Sequence, residues 1–293
     1  MKKLFALLMF VVIGTTLAFA QDDVSESLSD RSPVTSKWQY LSGNAAYTNH
    51  HLNLQEYKGY LLGLEATHGR FFRKSDRLSW QLTLMHYRNM NRSRVAGSGL
   101  HNPANTAKLS VQFYEADYAV HYNWLFAERL QVRLGGYFGM NAGALLCDDN
   151  AVNNAASEEL HAQLYASLQL RYGWDLKKMG LDIYANAATP FAGIRTADAR
   201  YMGLAEQIVG GQLKTSPYKH VVLSSFHNTQ GVNWEIGLDF VLNRLTLSVA
   251  YGANSRWWSD YEVMNYRKNS FLKLGVSVNL VSLQRGKVSN RQF

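Results

Sequence analysis

The sequence predicts an all-β fold: a single transmembrane antiparallel up-and-down β-barrel of about ten strands, with eight to twelve as the range. Three observations lead there. Segments in which every second residue is apolar or aromatic recur along the chain, several running to about eleven residues or more, where soluble strands usually stop at five or six. Beyond residue 20 there is no apolar run of the roughly eighteen residues that a membrane helix needs, yet 17 Tyr, 13 Phe and 7 Trp make the 293-residue chain 13% aromatic. Finally, tight and long connections alternate, the pattern of a barrel with short periplasmic turns and long extracellular loops.

The first segment lies outside this pattern. Lys2 and Lys3 form a basic start, Leu4 to Ile13 an apolar core, and Ala18-Phe19-Ala20 an A-x-A site before Gln21. Residues 1–20 therefore read as a cleaved secretory signal peptide; a spanning helix would need nearly twice that apolar length. No cysteine follows the apolar core, so no lipoprotein site is expected. Residues 21–37 are polar, contain Pro33 and show no period, which predicts a flexible periplasmic lead-in. The barrel is assigned to 38–281 and a tail to 282–293.

The strands follow in order. The first, at 38–48, is ambiguous in phase, and those at 60–71, 78–89 and 181–194 are weakly patterned. At 114–124 the even residues Tyr114, Ala116, Tyr118, Val120, Tyr122 and Trp124 face one way and Glu115, Asp117, His121 and Asn123 the other. From 130, Leu130, Val132, Leu134, Phe138 and Met140 alternate with Gln131, Arg133 and Asn141. In 160–174, Leu160, Leu164 and Leu168 have helical spacing, but on a helix Leu170 would fall on the far side, whereas period two fits nearly every residue. The closing strands are led by Val232, Leu245 and Leu272. Tight connections are expected at 73–76, 126–128, 177–180 and 243–244, and long ones at 49–57, 91–108, 144–158, 196–230 and 255–268.

Hydrocarbon gives backbone N–H and C=O groups no partner, so strands cross a membrane only in a closed sheet. The apolar face then meets lipid and the polar face the lumen. Trp38, Tyr60, Trp80, Tyr114, Trp124, Tyr172, Trp174 and Tyr251 suit interfacial girdles. An exported soluble barrel would share the period but not the strand length or the loop asymmetry.

Charge and cysteine content narrow the function classes. The balance is 30 Lys and Arg against 22 Asp and Glu, or +8, and +6 without Lys2 and Lys3; this suits an anionic lipid surface and does not single out nucleic acid. Cys147 is the one cysteine, which rules out an internal disulfide framework. No nucleotide cradle or cofactor motif is present, so no cofactor is expected.

The last strand, "KLGVSVNL", looks like the assembly signal of outer-membrane barrels, with Lys273, Gly275, Val278 and Leu280 at its key positions. It implies the barrel assembly machinery as a partner. Together with "NPANTAKLSVQF" and the hairpin "VNWEIGLDFVLNRLTLSVAYG", it resembles a family of small Gram-negative outer-membrane barrels known only as a domain of unknown function. The resemblance implies an outer-membrane location and no catalytic residues.

Four constellations could carry function. The lumen-facing set Glu65, Glu115, Asp117, Asp182, Glu235 and Asp239, with Arg133, Arg171, Lys273, His121 and His161, could line a selective pore or pair into an electrostatic plug; a narrow barrel favours the plug. The cations Arg88, Arg92, Arg94 and Lys108 could hold lipid phosphates, lipopolysaccharide included, with Arg256, Arg267 and Lys268 doing so across the barrel; solvated loop charge is the alternative. His50, His51, His86, His101 and His227, with Ser225 and Asp260, could form a hydrolase site at the outer rim, though no motif joins them. A metal at His50-His51 would need a turn there, since adjacent strand residues diverge. The favoured reading is a non-catalytic structural or surface-binding barrel acting through its outer loops, with a hydrolase or narrow pore as alternatives.

Overall fold

Period two is written into the backbone as one closed sheet. The computed structural model describes residues 35–49, 53–72, 77–94, 108–126, 130–148, 156–176, 179–196, 221–242, 245–260 and 263–279. The strands are β1 (Thr35–Asn49), β2 (Asn53–Phe71), β3 (Leu78–Arg94), β4 (Lys108–Phe126), β5 (Leu130–Asp148), β6 (Ala156–Leu176), β7 (Met179–Thr196), β8 (Val221–Ser225), β9 (Thr229–Val241), β10 (Leu245–Asp260) and β11 (Val263–Asn279). Each pairs antiparallel with its neighbour, and β1 pairs with β11 to close the ring. β8 and β9 share one position, both lying along β7 and separated by the turn Phe226–Asn228. The result is a ten-position barrel with no helix among the described residues.

The register fixes its shape. Following paired residues from Leu170 on β6 through Ala185, Ile236, Tyr251, Leu272, Ser42, Leu62, Arg88, Gln112 and Ala144 leads back to β6 at Glu158, twelve residues from the start. With ~3.3 Å per residue and ~4.8 Å between strands, that stagger tilts the strands by about 40° and gives a backbone radius of about 10 Å. A cylinder this narrow fills with side chains.

Side chains sort by parity as the period requires. On β6, Leu160, Leu164, Leu168 and Leu170 are exposed outward, while His161, Gln163, Tyr165 and Ser167 are buried in the lumen. Toward the long-loop end the outward face turns from apolar to polar: on β2 it reads Leu64, Leu62, Tyr60, Lys58, and on β11 Leu274, Leu272, Ser270, Lys268. Outward Trp80, Tyr122, Trp124 and Tyr172 mark the short-turn end, and Tyr60, Tyr114 and Tyr251 the other. A 19-residue strand such as β4 rises about 48 Å at this tilt, against an apolar band about 25 Å tall. The wall therefore stands some 20 Å beyond the hydrocarbon on the long-loop side.

Two expected outer loops are largely strand. β1 and β2 continue through most of 49–57, and β10 and β11 through most of 255–268, so the connections shrink to 50–52 and 261–262. Above the hydrocarbon an outward residue need not be apolar, so the hydropathy alternation fades while the hydrogen-bond ladder continues. β8 also lies inside the expected loop 196–230. The segments 1–34 and 280–293, which contain the expected signal peptide, most of the lead-in and the tail, fall outside the described residues, as do His50, His51 and His101.

Candidate functional site

Two assemblies concentrate the chemistry: a packed lumen and a basic groove on the outer wall. In the long-loop half of the lumen, Leu41, Tyr47, Tyr57, Leu61, Leu109, Val111, Phe113, Leu145 and Trp258 form an apolar cluster whose members are essentially inaccessible to solvent. The Arg267 guanidinium lies over the Phe113 ring at 4.2 Å and bridges to Glu115 at 3.3 Å, so it caps the cluster and opens a polar layer beneath. In that layer the Tyr87 hydroxyl donates to Glu115 at 2.8 Å, and Asn141 also donates to this carboxylate. Tyr137 and Tyr165 stack at 4.3 Å where Gly139 leaves room, since a Cβ there would come within 3.1 Å of the Tyr165 ring.

Further toward the short-turn end, Lys273 bridges Glu65 and Glu235, each at 2.6 Å. Tyr184 donates to Glu235 at 2.9 Å and accepts from Lys37 at 3.3 Å. Below it Arg171 bridges Asp182 at 3.1 Å and Asp239 at 3.0 Å, and Lys37 approaches Asp239 at 3.6 Å. Ionised groups held away from water must be matched in this way. Sequence reasoning missed Lys37, whose place opposite Glu65's neighbour Thr67 follows from the phase of Gln39 and Leu41. His161 lies 3.8 Å from Glu159 and edge-on to Trp258, and His121 meets the Ser167 hydroxyl at 2.6 Å. Asp117 and Arg133 also line the lumen cavity but take part in no such bridge among the described residues.

Outside, the register draws cations together. Lys268 on β11 and Lys58 on β2 both lie opposite Ala46 of β1; Lys58 lies opposite Arg92, and Arg92 opposite Lys108. These four side chains line a groove of about 750 Å³ with Asn44, Tyr60 and Met90. Arg88 is exposed on β3 one turn of the pleat nearer the apolar band, its guanidinium 3.7 Å from the Met90 sulfur. Lys268 thus joins the Arg92 cluster, because β11 adjoins β1, and does not lie across the barrel from it. Arg256 and Arg267, expected with Lys268, instead point inward: Arg256 donates to the Tyr165 hydroxyl and Arg267 holds Glu115. Their parity was legible, since Lys268 shares the phase of Leu272 while Arg267 does not. Lys58, which sequence reasoning missed, shares the phase of Leu62 and Tyr60. Arg94 pairs through its backbone with Glu56; its side chain lies outside the described residues.

The rim histidines do not converge. His86 stacks on Tyr114 at 4.7 Å on the outer face. His227 meets Ser225 at 3.0 Å within one exposed turn, with no carboxylate joined to the pair among the described residues; the Asp260 side chain is not among them. No group of three His, Cys, Asp or Glu capable of holding a metal occurs among the described residues. Of the assembly-signal residues, Lys273 faces the lumen, Gly275 packs beside Gln39 and Val278 pairs with Ser36 and Leu245; Leu280 lies outside the described residues.

Comparison with solved structures returns outer-membrane barrels. An outer membrane channel from Pseudomonas putida F1 is 13% identical, with 87% of this chain and 97% of that one covered and a TM-score of 0.39. The β domain of the Bordetella autotransporter BrkA is 9% identical, with 84% and 99% covered and a TM-score of 0.39. The Escherichia coli outer membrane protease OmpT is 6% identical, with 87% and 99% covered and a TM-score of 0.36. These similarities speak to fold alone. No curated protein matches the sequence significantly. Residues 3–286, nearly the whole chain, match one family model, and the protein belongs to that family, the proteins of unknown function DUF3316.

Proposed function

We propose that this protein is a closed, non-catalytic outer-membrane barrel that binds the phosphate groups of lipopolysaccharide on its outer wall. The observation that carries the reading is the groove lined by Lys58, Arg92, Lys108 and Lys268. It begins where the outward face changes from leucine to tyrosine to cation, the depth at which a lipid's phosphates meet its acyl chains. Tyr60, 75% exposed, and Met90 offer apolar surface below the charges. A cation near an anionic leaflet contributes about 1 kcal/mol; Lys58 already bridges Glu56 at 3.0 Å, so Arg92, Lys108 and Lys268 carry most of the association. The packed lumen favours a wall function over conduction.

The test is lipopolysaccharide retained by protein purified from outer membranes, measured per barrel by mass spectrometry. Replacing Lys58, Arg92, Lys108 and Lys268 with alanine is expected to lower it at least tenfold, with the barrel still heat-modifiable on gels. Unchanged lipopolysaccharide in that variant refutes the reading. If expression removes an acyl or phosphate group from lipid A and His227→Ala abolishes the loss, the hydrolase alternative replaces it.

A further inference from the structure

A cavity of about 240 Å³ occupies the short-turn half of the lumen, beneath the apolar cluster, with Thr35, Phe71, Ser79 and Gln131 toward its open end. That volume is roughly eight waters' worth of liquid. Arg133 reaches into it. Lys37, Arg171, Arg267 and Lys273 each face a carboxylate, but no carboxylate lies within ion-pair distance of Arg133 among the described residues, and its Nε has no hydrogen-bond partner. Among the described residues Asp117, a lumen carboxylate with no bridging cation, pairs with Gly139, six residues along β5 from Arg133 and so about 20 Å away.

What surrounds Arg133 is donor-rich. Gln169 lies directly opposite it on β6, and Gln131, two residues along β5, lies opposite Arg171. Asn123 flanks it on β4, and His121 follows two residues on. Two guanidinium groups and two primary amides thus form a square on adjacent strands with no acid inside it. Arg171 is already matched by Asp182 and Asp239, and Lys37 shares Asp239, so that quartet is balanced and Arg133 beside it is left without a carboxylate among the described residues.

We propose that this cavity is a binding site for a small soluble oxyanion of the phosphate class, entering from the short-turn end and held by Arg133 with the Gln131 and Gln169 amides. A guanidinium fork matches two oxygens of such an anion, and the amides supply donors for the others. The lumen wall separates the site from leaflet lipids, so the ligand is a solute. The site is independent of the outer groove, and either reading can fail alone.

The test is equilibrium dialysis of the refolded full-length protein against radiolabelled inorganic phosphate at fixed ionic strength, repeated in the outer-face four-alanine variant so that the outer groove does not contribute. Saturable binding of about one phosphate per barrel, surviving the outer-face changes and weakened at least tenfold by Arg133→Gln, is expected. Absence of saturable binding up to millimolar phosphate, or equal binding by Arg133→Gln, overturns the proposal. Should Arg133→Gln fail to fold, Arg133→Lys keeps the charge but not the fork and must still weaken binding several-fold; equal affinity there overturns the proposal as well.

Discussion

Replacing Lys273 with methionine tests the internal electrostatics most directly. The ammonium group lies 2.6 Å from both Glu65 and Glu235, and the three side chains are 7%, 8% and 15% exposed. Its loss leaves Glu235 with the Tyr184 hydroxyl and Glu65 with Thr67 at 3.5 Å. Breaking a buried pair strands an uncompensated charge at about 3–5 kcal/mol. Taking about 4 kcal/mol, the folded-to-unfolded ratio falls about a thousandfold. The assay is reversible urea unfolding in lipid vesicles, followed by tryptophan fluorescence and gel mobility. Glu235→Gln, which leaves the assembly-signal strand untouched, should cost only about 1–2 kcal/mol because the amide oxygen still accepts from Lys273. Combining Lys273→Met with Glu65→Gln and Glu235→Gln should recover most of the loss, since no charge is then stranded. A Lys273→Met loss below about 1 kcal/mol, or no recovery in the triple variant, would refute the argument that this triad is held by charge matching.

Other expectations follow from the packed interior. In planar bilayers the wild-type protein should show no conductance steps, whereas Phe113→Ala with Trp258→Ala, which removes two rings from the apolar cluster, should admit ions; steps in the wild type would contradict a closed lumen. Gly139→Val should cost about 1–3 kcal/mol by overpacking, because its Cβ would fall 2.7 Å from an Asp117 carboxylate oxygen and 3.1 Å from the Tyr165 ring. An unchanged urea midpoint would show that the Tyr137–Tyr165 stack yields freely.

Inside the membrane the fold was legible because lipid on one side and a crowded lumen on the other force opposite chemistry on successive residues. Leu160 to Trp174 shows this within one strand. The same rule carried to the strand tops assigns Arg256 and Arg267 to the lumen and Lys58 to the wall. At the tops of β1, β2, β10 and β11 the outward residues become polar, so hydropathy alone predicts loops where the ladder continues. Pairing was illegible for a different reason. That Lys58, Arg92, Lys108 and Lys268 share a groove depends on closure between β1 and β11 and on the stagger between strands, neither of which leaves a local mark. That Arg133 lacks a carboxylate partner among the described residues was likewise hidden, since it depends on which carboxylates the register carries out of reach.

The height of the wall has a consequence for neighbours in the membrane. A cylinder that continues some 20 Å above the hydrocarbon cannot be passed over by the sugars of adjacent glycolipids; they must pack against its sides. With cations along β11 to β4, and Leu160, Ile194 and Leu223 exposed on β6 to β8, those sides are unequal. Under the proposed lipid binding, the barrel would order its surroundings by direction, with anionic lipid along one flank and apolar contact along the other.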